Sequence, residues 1–355
     1  MNLIFLQNCV SPHQMPYIKE LPAITEVDRV VVVSPRVDYD DRKLMGWQAS
    51  SLLDVEGVEF VIAPSLEQVA VLYDSCKGTE THCFFLGINA FKEIVAWMKF
   101  SLKYPFKRGM ITEPPLLYNH PLWQHKLRFA LKDWRYVKYF NQVLVMGDGF
   151  VPYYEKWSKH WKVSPFIYCT EWKERSLPIP TSEQLKVLFV GSLSDRKNVA
   201  SAFEVLSQKA KLEIGIVGDG EQRATIEQMI LNAKAKVVMY GMQPMKMIPE
   251  IMQEYDVLIL PSKHDGWGAV VNEALTLGLY VICSNHCGAS YLLKEEQQGK
   301  VFSLETADSL NNVISTCIAK RDWIRTTADV RIAWSKEHIS GKAVAKYFMQ
   351  QIVNR

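Results

Sequence analysis

The sequence predicts an α/β protein of two domains, each a parallel sheet covered by helices. Three observations predict it. Short runs rich in β-branched and aromatic residues alternate with longer segments of helical periodicity along the whole chain, the order expected when helices cross over between parallel strands. The chain has 355 residues, enough for roughly two domains, each with its own core. A polar stretch at 171–183, interrupted by Pro178 and Pro180, divides the strand-like runs into two groups.

In the first group the expected strands are residues 3–6, 30–33, 59–62, 83–86, 109–112 and 143–145. Residues 1–10 have no basic leader and only a short apolar run, so they suit a first buried strand better than a signal peptide. The second group supplies strands at 187–190, 213–217, 237–240, 257–260 and 281–283. The expected domains are 1–172 and 185–335, joined by a linker at 173–184, with 336–355 as a C-terminal helix.

Composition narrows the function. Apolar residues are 48% of the chain and charged residues 22%, which excludes a disordered, collagenous or coiled-coil protein. A net charge of +3 excludes a general nucleic-acid binder. The seven cysteines, Cys9, Cys76, Cys83, Cys169, Cys283, Cys287 and Cys317, have no zinc-like spacing and read as reduced core thiols. No run approaches the ~20 apolar residues of a membrane span, so the expected location is the cytoplasm or the inner face of the cytoplasmic membrane. Charge is uneven, however: residues 99–162 hold 12 basic and 4 acidic residues. Within them Arg128, Lys132 and Arg135 fall at helical spacing opposite an apolar stripe of Trp123, Leu127, Ala130, Leu131, Trp134 and Val137. A solvated helix packed on a sheet is the plain account; contact with anionic lipid head groups, helped by Trp157 and Trp161, is the functional one.

The segment richest in chemistry follows the expected strand at 257–260. It reads Pro261-Ser262-Lys263-His264-Asp265-Gly266-Trp267-Gly268 and continues in a helical pattern through Glu273. A strand feeding a glycine-bearing turn and then a helix exposes unpaired N–H groups, which suit a phosphate. Asp265 and Glu273 lie eight residues apart, displaced by up to roughly 12 Å along a helix. That separation suits an extended nucleotide sugar, with one carboxylate for sugar hydroxyls and the other for the ribose. Trp267 is read equally as a stacking platform and as a packing residue.

A second cluster, Gly191-Ser192-Leu193-Ser194-Asp195-Arg196-Lys197-Asn198, follows the strand at 187–190. Gly191 permits close backbone approach, Asn198 is an expected N-cap, and Lys197 can place a point charge on a diphosphate. A third loop, Gly218-Asp219-Gly220-Glu221-Gln222-Arg223, imitates a dinucleotide fingerprint, but Arg223 stands where the last small residue is needed, which discards the NAD reading. Asp38-Tyr39-Asp40 imitates a carboxylate pair for a divalent cation; it lies in a polar run ending Asp41-Arg42-Lys43 and reads as a solvated turn.

With these residues in place, the second half resembles the retaining GT-B glycosyltransferases of family four. The resemblance rests on Phe189-Val190-Gly191, Arg196-Lys197-Asn198, Gly218-Asp219-Gly220, Tyr240-Gly241, Pro261-Ser262, the acid pair Asp265 and Glu273 with Ala274-Leu275, and Gly288. It implies an α/β GT-B fold, two Rossmann-like domains facing a cleft, with the C-terminal helix returning to the first domain. It implies donor-sugar contact by Asp265, ribose contact by Glu273 and diphosphate contact by Lys197. Gly191, Ser192, Arg196, Gly218, Gly241, Gly266, Trp267 and Gly268 are the further donor-binding candidates. Two departures stand out: the first acid is Asp265 where the family usually has Glu, and Ser192 replaces an arginine of the phosphate loop. In the first domain the match is looser, with the segment from Gln7 to Gln14 in place of a glycine-rich loop and Glu113 near a position often held by histidine. His13 and Glu113 are the acceptor-side candidates, both at carboxyl ends of expected strands.

The expected function is transfer of a sugar, with retention, from a UDP- or GDP-activated donor to a glycan or lipid-linked acceptor in cell-surface polysaccharide synthesis. No metal or other cofactor is expected, because Lys197 and oriented amides can neutralise the leaving diphosphate. Two rivals stay open: a sugar-nucleotide epimerase of the same architecture and a non-catalytic sugar-nucleotide-binding subunit.

Overall fold

In a computed structural model the described residues are 1–39, 52–86, 91–114, 121–157 and 159–353, without the side chains of Lys132, Asp133 and Val137. They form two compact units. The first comprises Met1–Glu171 and Ser340–Arg355, the second Trp172–Ile339.

The first unit is built on a seven-stranded sheet in the order β3-β2-β1-β4-β5-β6-β7. Its strands are β1 (Asn2–Leu6), β2 (Arg29–Ser34), β3 (Val58–Ile62), β4 (Thr81–Leu86), β5 (Lys107–Thr112), β6 (Gln142–Met146) and β7 (Lys162–Phe166), and every pairing is parallel. Strands covered on both faces must be apolar on both alternations, and β1, β4 and β6 are buried along their whole length. One face carries Ile4, Leu6, Val31, Val33 and Phe85 against Val69, Trp97 and Met98 of the covering helices. On the other, Phe5, Phe84 and Phe166 meet Tyr17 and Phe348, with the Phe84 and Phe348 rings 4.8 Å apart. Phe348 belongs to helix Gly341–Val353, which lies so close to the segment around Pro16 that a Cβ on Gly341 would stand 1.9 Å from the Pro16 carbonyl oxygen.

The second unit has a six-stranded sheet in the order β10-β9-β8-β11-β12-β13, again parallel throughout. Here β8 is Leu185–Val190, β9 Leu212–Val217, β10 Lys236–Gly241, β11 Val257–Leu260, β12 Tyr280–Ser284 and β13 Gly299–Phe302. Residues 172–184 belong to this unit, where Arg175 donates to the carbonyls of Leu277 at 2.7 Å and Gln253 at 2.6 Å. Asp256, just before β11, has a fully buried side chain held by Nε and Nη2 of Arg325, each at 2.9 Å. Arg331 is buried without a carboxylate; carbonyls of Gly278 and Gln297 and the Thr327 hydroxyl accept its hydrogens, and burial pushes its guanidinium down to about 10.

The basic helix departs from its expected form. An α-helix at Leu122–Arg128 widens into a π turn at Phe129–Asp133 before Trp134–Val137. The wider turn shifts the helical register, so Phe129 enters the core against Trp157, with rings 4.6 Å apart. Trp123, Leu127 and Leu131, read as an inward stripe, are instead 61%, 52% and 68% exposed. Trp161 is buried, and Trp157 is partly buried, packed against the same core beside Phe129. The Lys132 side chain lies outside the described residues, as do Asp40 and the run from Asp41 to Lys43. All seven cysteines are buried and unbridged. Among the described residues no helix is long and apolar enough to cross a membrane.

Candidate active site

The expected donor residues of the second unit gather where the loops after β8, β9, β11 and β12 leave the carboxyl edge of the sheet. Such an edge is where open α/β sheets bind ligands. Gly191 ends β8 with φ of 153° and donates to the Val217 carbonyl at 3.0 Å. The loop after β9 presses on it: a Cβ on Gly218 would stand 1.9 Å from the Gly191 carbonyl oxygen, and one on Gly220 would stand 2.7 Å from that of Leu193. Gly241, with φ of 66°, accepts from the Gly218 N–H at 2.8 Å. Gly218 and Gly220 serve close backbone approach, the role the sequence assigns to Gly191, while Gly241 serves its left-handed backbone.

Side chains stitch the β8 and β11 loops together. Lys197 Nζ is 2.5 Å from Asp265 Oδ2. Arg196 Nη1 donates to the His264 carbonyl at 2.9 Å, the Lys263 N–H donates to the Arg196 carbonyl at 2.9 Å, and Lys263 Nζ meets Asp195 Oδ1 at 2.6 Å. Asn198 stands at the N-cap position of helix Val199–Ser207, as the sequence suggests, but its backbone is left-handed and its side chain, instead of capping, donates to the Pro261 carbonyl at 3.1 Å, fastening the same two loops. Ser192, which stands where an arginine is usual, shares a hydrogen bond with Ser194 at 3.2 Å.

The loop after β12 closes the turn from below. The Asp265 N–H donates to the His286 carbonyl at 3.1 Å and the Gly288 N–H to the Asp265 carbonyl at 3.0 Å. Gly288 faces Gly266 so closely that a Cβ would lie 2.3 Å from the Gly266 carbonyl oxygen. Gly268, with φ of 95°, turns the chain toward helix Val270–Thr276, whose first turn carries Glu273. Burial pushes the Glu273 carboxyl up to about 7, opposed in part by the charge of Lys173. Burial likewise holds the His264 imidazole below its usual range.

Trp267 is a core residue. It is 2% exposed, and its indole N–H donates to Asn272 Oδ1 at 2.7 Å, so its ring is enclosed rather than offered as a stacking platform. Lys173 was hidden in a stretch read as linker, and Lys263 in a loop whose acids drew the attention; only the fold discloses their neighbours.

In the first unit, His13 and Glu113 converge on a residue that sequence reasoning passed over. Tyr168 Oη donates to Glu113 Oε1 at 3.1 Å, and the His13 and Tyr168 rings are 6.2 Å apart. Burial, then the Glu113 charge, raises the Tyr168 hydroxyl well above its ordinary value, so it remains a protonated donor.

Comparison with known proteins places this geometry. The fold resembles the crystal structure of HepE from Anabaena in complex with UDP, at a TM-score of 0.70 and 16% identity over 100% of both chains. The two parallel-sheet, Rossmann-like units are those of the GT-B fold. An Escherichia coli UDP-Gal:alpha-D-GlcNAc-diphosphoundecaprenol alpha-1,3-galactosyltransferase is 34% identical over 102 residues, 28% of this chain and 26% of its own length. An uncharacterized glycosyltransferase of Methanocaldococcus jannaschii, MJ1607, is 25% identical over 183 residues, 49% of this chain and 47% of its own. The chain thus spans less than half the length of these curated relatives. Residues 171–329 match the family model described as Glycosyl transferases group 1. That match takes in most of the second unit, including the stitched Lys197 and Asp265.

Proposed function

We propose that the chain is a retaining glycosyltransferase of family four, moving a sugar from a UDP- or GDP-activated donor to a glycan or lipid-linked acceptor in cell-surface polysaccharide synthesis. The observation that carries this reading is the Lys197–Asp265 pair, held at the carboxyl edge of a group 1 domain with Glu273 beyond it. Supporting it are the UDP bound by the Anabaena relative and the diphosphoundecaprenol named for the Escherichia coli one.

In this reading the second unit binds the donor. Lys197, drawn from Asp265 toward the diphosphate, neutralises charge as the bond from the anomeric carbon to the phosphate oxygen breaks. Arg196 supplies the second cation in place of the arginine absent at Ser192. Asp265 orients the sugar hydroxyls and Glu273 receives the ribose hydroxyls. Gly191, Gly218, Gly241, Gly266 and Gly268 let the backbone approach, and Trp267 holds the turn from within. The acceptor hydroxyl attacks from the face the diphosphate leaves, and its proton passes to the departing phosphate oxygen. Preorganised cations and amides supply the main catalytic term, worth ~3 kcal/mol per contact, and no metal is needed. His13 and Glu113 serve the acceptor in the first unit. The working location is the cytoplasmic face of the membrane, where Arg128, Lys132 and Arg135 meet anionic head groups and exposed Trp123, Leu127 and Leu131 enter the interface.

The test is incubation with a panel of UDP- and GDP-sugars, with and without glycan and lipid-linked acceptors, measuring nucleotide release and product anomer. Acceptor-dependent release with a retained anomer is expected. Donor consumption without acceptor or nucleotide release points to an epimerase; nucleotide binding without turnover points to a binding subunit. Activity abolished by excess chelator overturns the metal-independent mechanism.

A further inference from the structure

We propose that His286 is a positioning residue for the transfer: its imidazole fastens the loop after β13 to the loop after β11, and so holds the Asp265 turn, with its Lys197 partner, in register with the donor. This rests on the glycosyltransferase reading and adds to it a residue that acts through Asp265.

Two backbone bonds fix Asp265 to the loop after β12. Its N–H donates to the His286 carbonyl at 3.1 Å, and the Gly288 N–H donates to its carbonyl at 3.0 Å. The acid therefore stands wherever residues 286–288 stand, and the His286 side chain ties those residues down on two sides. Its Nδ1 lies 3.0 Å from the Lys263 carbonyl oxygen, two residues before Asp265, and its Nε2 lies 2.5 Å from Glu305 Oε1, beyond β13. Lys263 passes the constraint on, since its N–H donates to the Arg196 carbonyl at 2.9 Å, beside Lys197. One imidazole thus connects the loops after β13, β12, β11 and β8, in the order in which those strands lie in the sheet.

Glu305 is a firm anchor for that row. Asn285 Nδ2 and Ser303 Oγ donate to its Oε2, each at 2.8 Å, and its own N–H donates to Ser303 Oγ at 3.1 Å. The hydrogen bonds from Asn285 and Ser303 hold its carboxyl down at about 2, which keeps it a charged acceptor. The connection offers little to the core: the His286 and Glu305 side chains are 43% and 58% exposed, and ion pairs so placed add little to stability. What His286 holds instead is backbone on either side of the acid, and a displacement of about 1 Å at such a site can cost a hundredfold in rate.

The test uses the full chain with UDP-glucose, UDP-galactose, UDP-N-acetylglucosamine and GDP-mannose as donors, and octyl glucoside, octyl galactoside or water as acceptor. For the most active pair, His286→Ala is expected to lower kcat about tenfold or more, while the donor KM and the Kd of the free nucleoside diphosphate stay within about threefold. Its melting temperature should stay within about 2 °C of the parent's. Glu305→Ala should show the same loss of rate, and the double variant no more than either alone, because the two side chains act as one connection. His286→Gln, which can still donate to one partner, should recover part of the rate. Parent-like kcat in His286→Ala overturns the proposal, as do losses that multiply in the double variant, or a loss of rate matched by a lowered melting temperature. A parent chain that neither transfers nor hydrolyses any of these sugars overturns the glycosyltransferase reading, and the proposal with it.

Discussion

Lys197 and Asp265, separated by 68 positions in sequence, form an ion pair of 2.5 Å at the carboxyl edge of the second sheet. Both side chains are largely buried, with 15% and 14% of their surface accessible, so the pair is held by its loops rather than by chance encounter. In the proposed function this pair is the contact on which the donor diphosphate draws.

Lys197→Ala is therefore expected to lower kcat by two to three orders of magnitude, about 3 to 4 kcal/mol in the transition state. It also leaves Asp265 without its counter-charge. Lys197→Met combined with Asp265→Asn should recover the stability of the fold but none of the rate. Thermal melts beside single-turnover kinetics check this, and recovered turnover in the double variant sinks the diphosphate role.

Glu273 carries a pH signature. Its folded-state value of about 7 lies above the ordinary 4.5, so the folded protein holds a proton that the unfolded chain releases, and this group's contribution to stability falls as pH rises through 4.5 to 7. In the proposed function binding runs the other way, since it is the carboxylate form of Glu273 that would accept from the ribose hydroxyls. The affinity for UDP-glucose should rise about tenfold from pH 6 to pH 8. Calorimetry at the two values checks it, and Glu273→Gln should flatten the dependence.

Asp256→Ala should destabilise the second unit by about 3 to 5 kcal/mol, because it strands the Arg325 guanidinium in a buried site. Loss of the unit's cooperative urea transition at a lower midpoint, with the first unit's transition unmoved, is the expected record.

Trp123→Ser with Leu131→Ser should weaken sedimentation with vesicles containing phosphatidylglycerol, at least fivefold, and leave transfer to a water-soluble acceptor unchanged. Equal sedimentation of parent and variant leaves the exposed stripe as ordinary surface.

Much of the architecture was legible because strands covered on both faces must be apolar. All eleven runs read as strands lie within observed strands, from Leu3 to Cys283. The two strands not read, β7 and β13, each form one edge of their sheet, whereas the opposite edges, β3 and β10, were read. β7 contains Pro165, which cannot donate to a ladder and is tolerated only at an edge, and β13 has just four residues with Lys300 and Val301 facing out. The proline in one and the short, half-exposed run of the other leave less of a signal than the β-branched runs of the edges that were read. The acid pair and Lys197 were legible from their places after strands. Tyr168 was not, since an isolated tyrosine has no periodicity and its meaning comes from Glu113, 55 positions away. The π turn at Phe129 was invisible for a similar reason: a 3.6-residue period assigns Leu127 and Leu131 inward, and only the crowd around Trp157 selects Phe129 instead.

The helix Gly341–Val353 gives the molecule an unusual order of assembly. On the ribosome, the six-stranded sheet is complete before Phe348 emerges, while Phe5, Tyr17, Phe84 and Phe166 wait with an open apolar surface. The part made first is thus sealed last. A premature stop ahead of Ser340 would spare the second unit and leave the first with an uncovered apolar face, a pattern to expect in truncated products that aggregate.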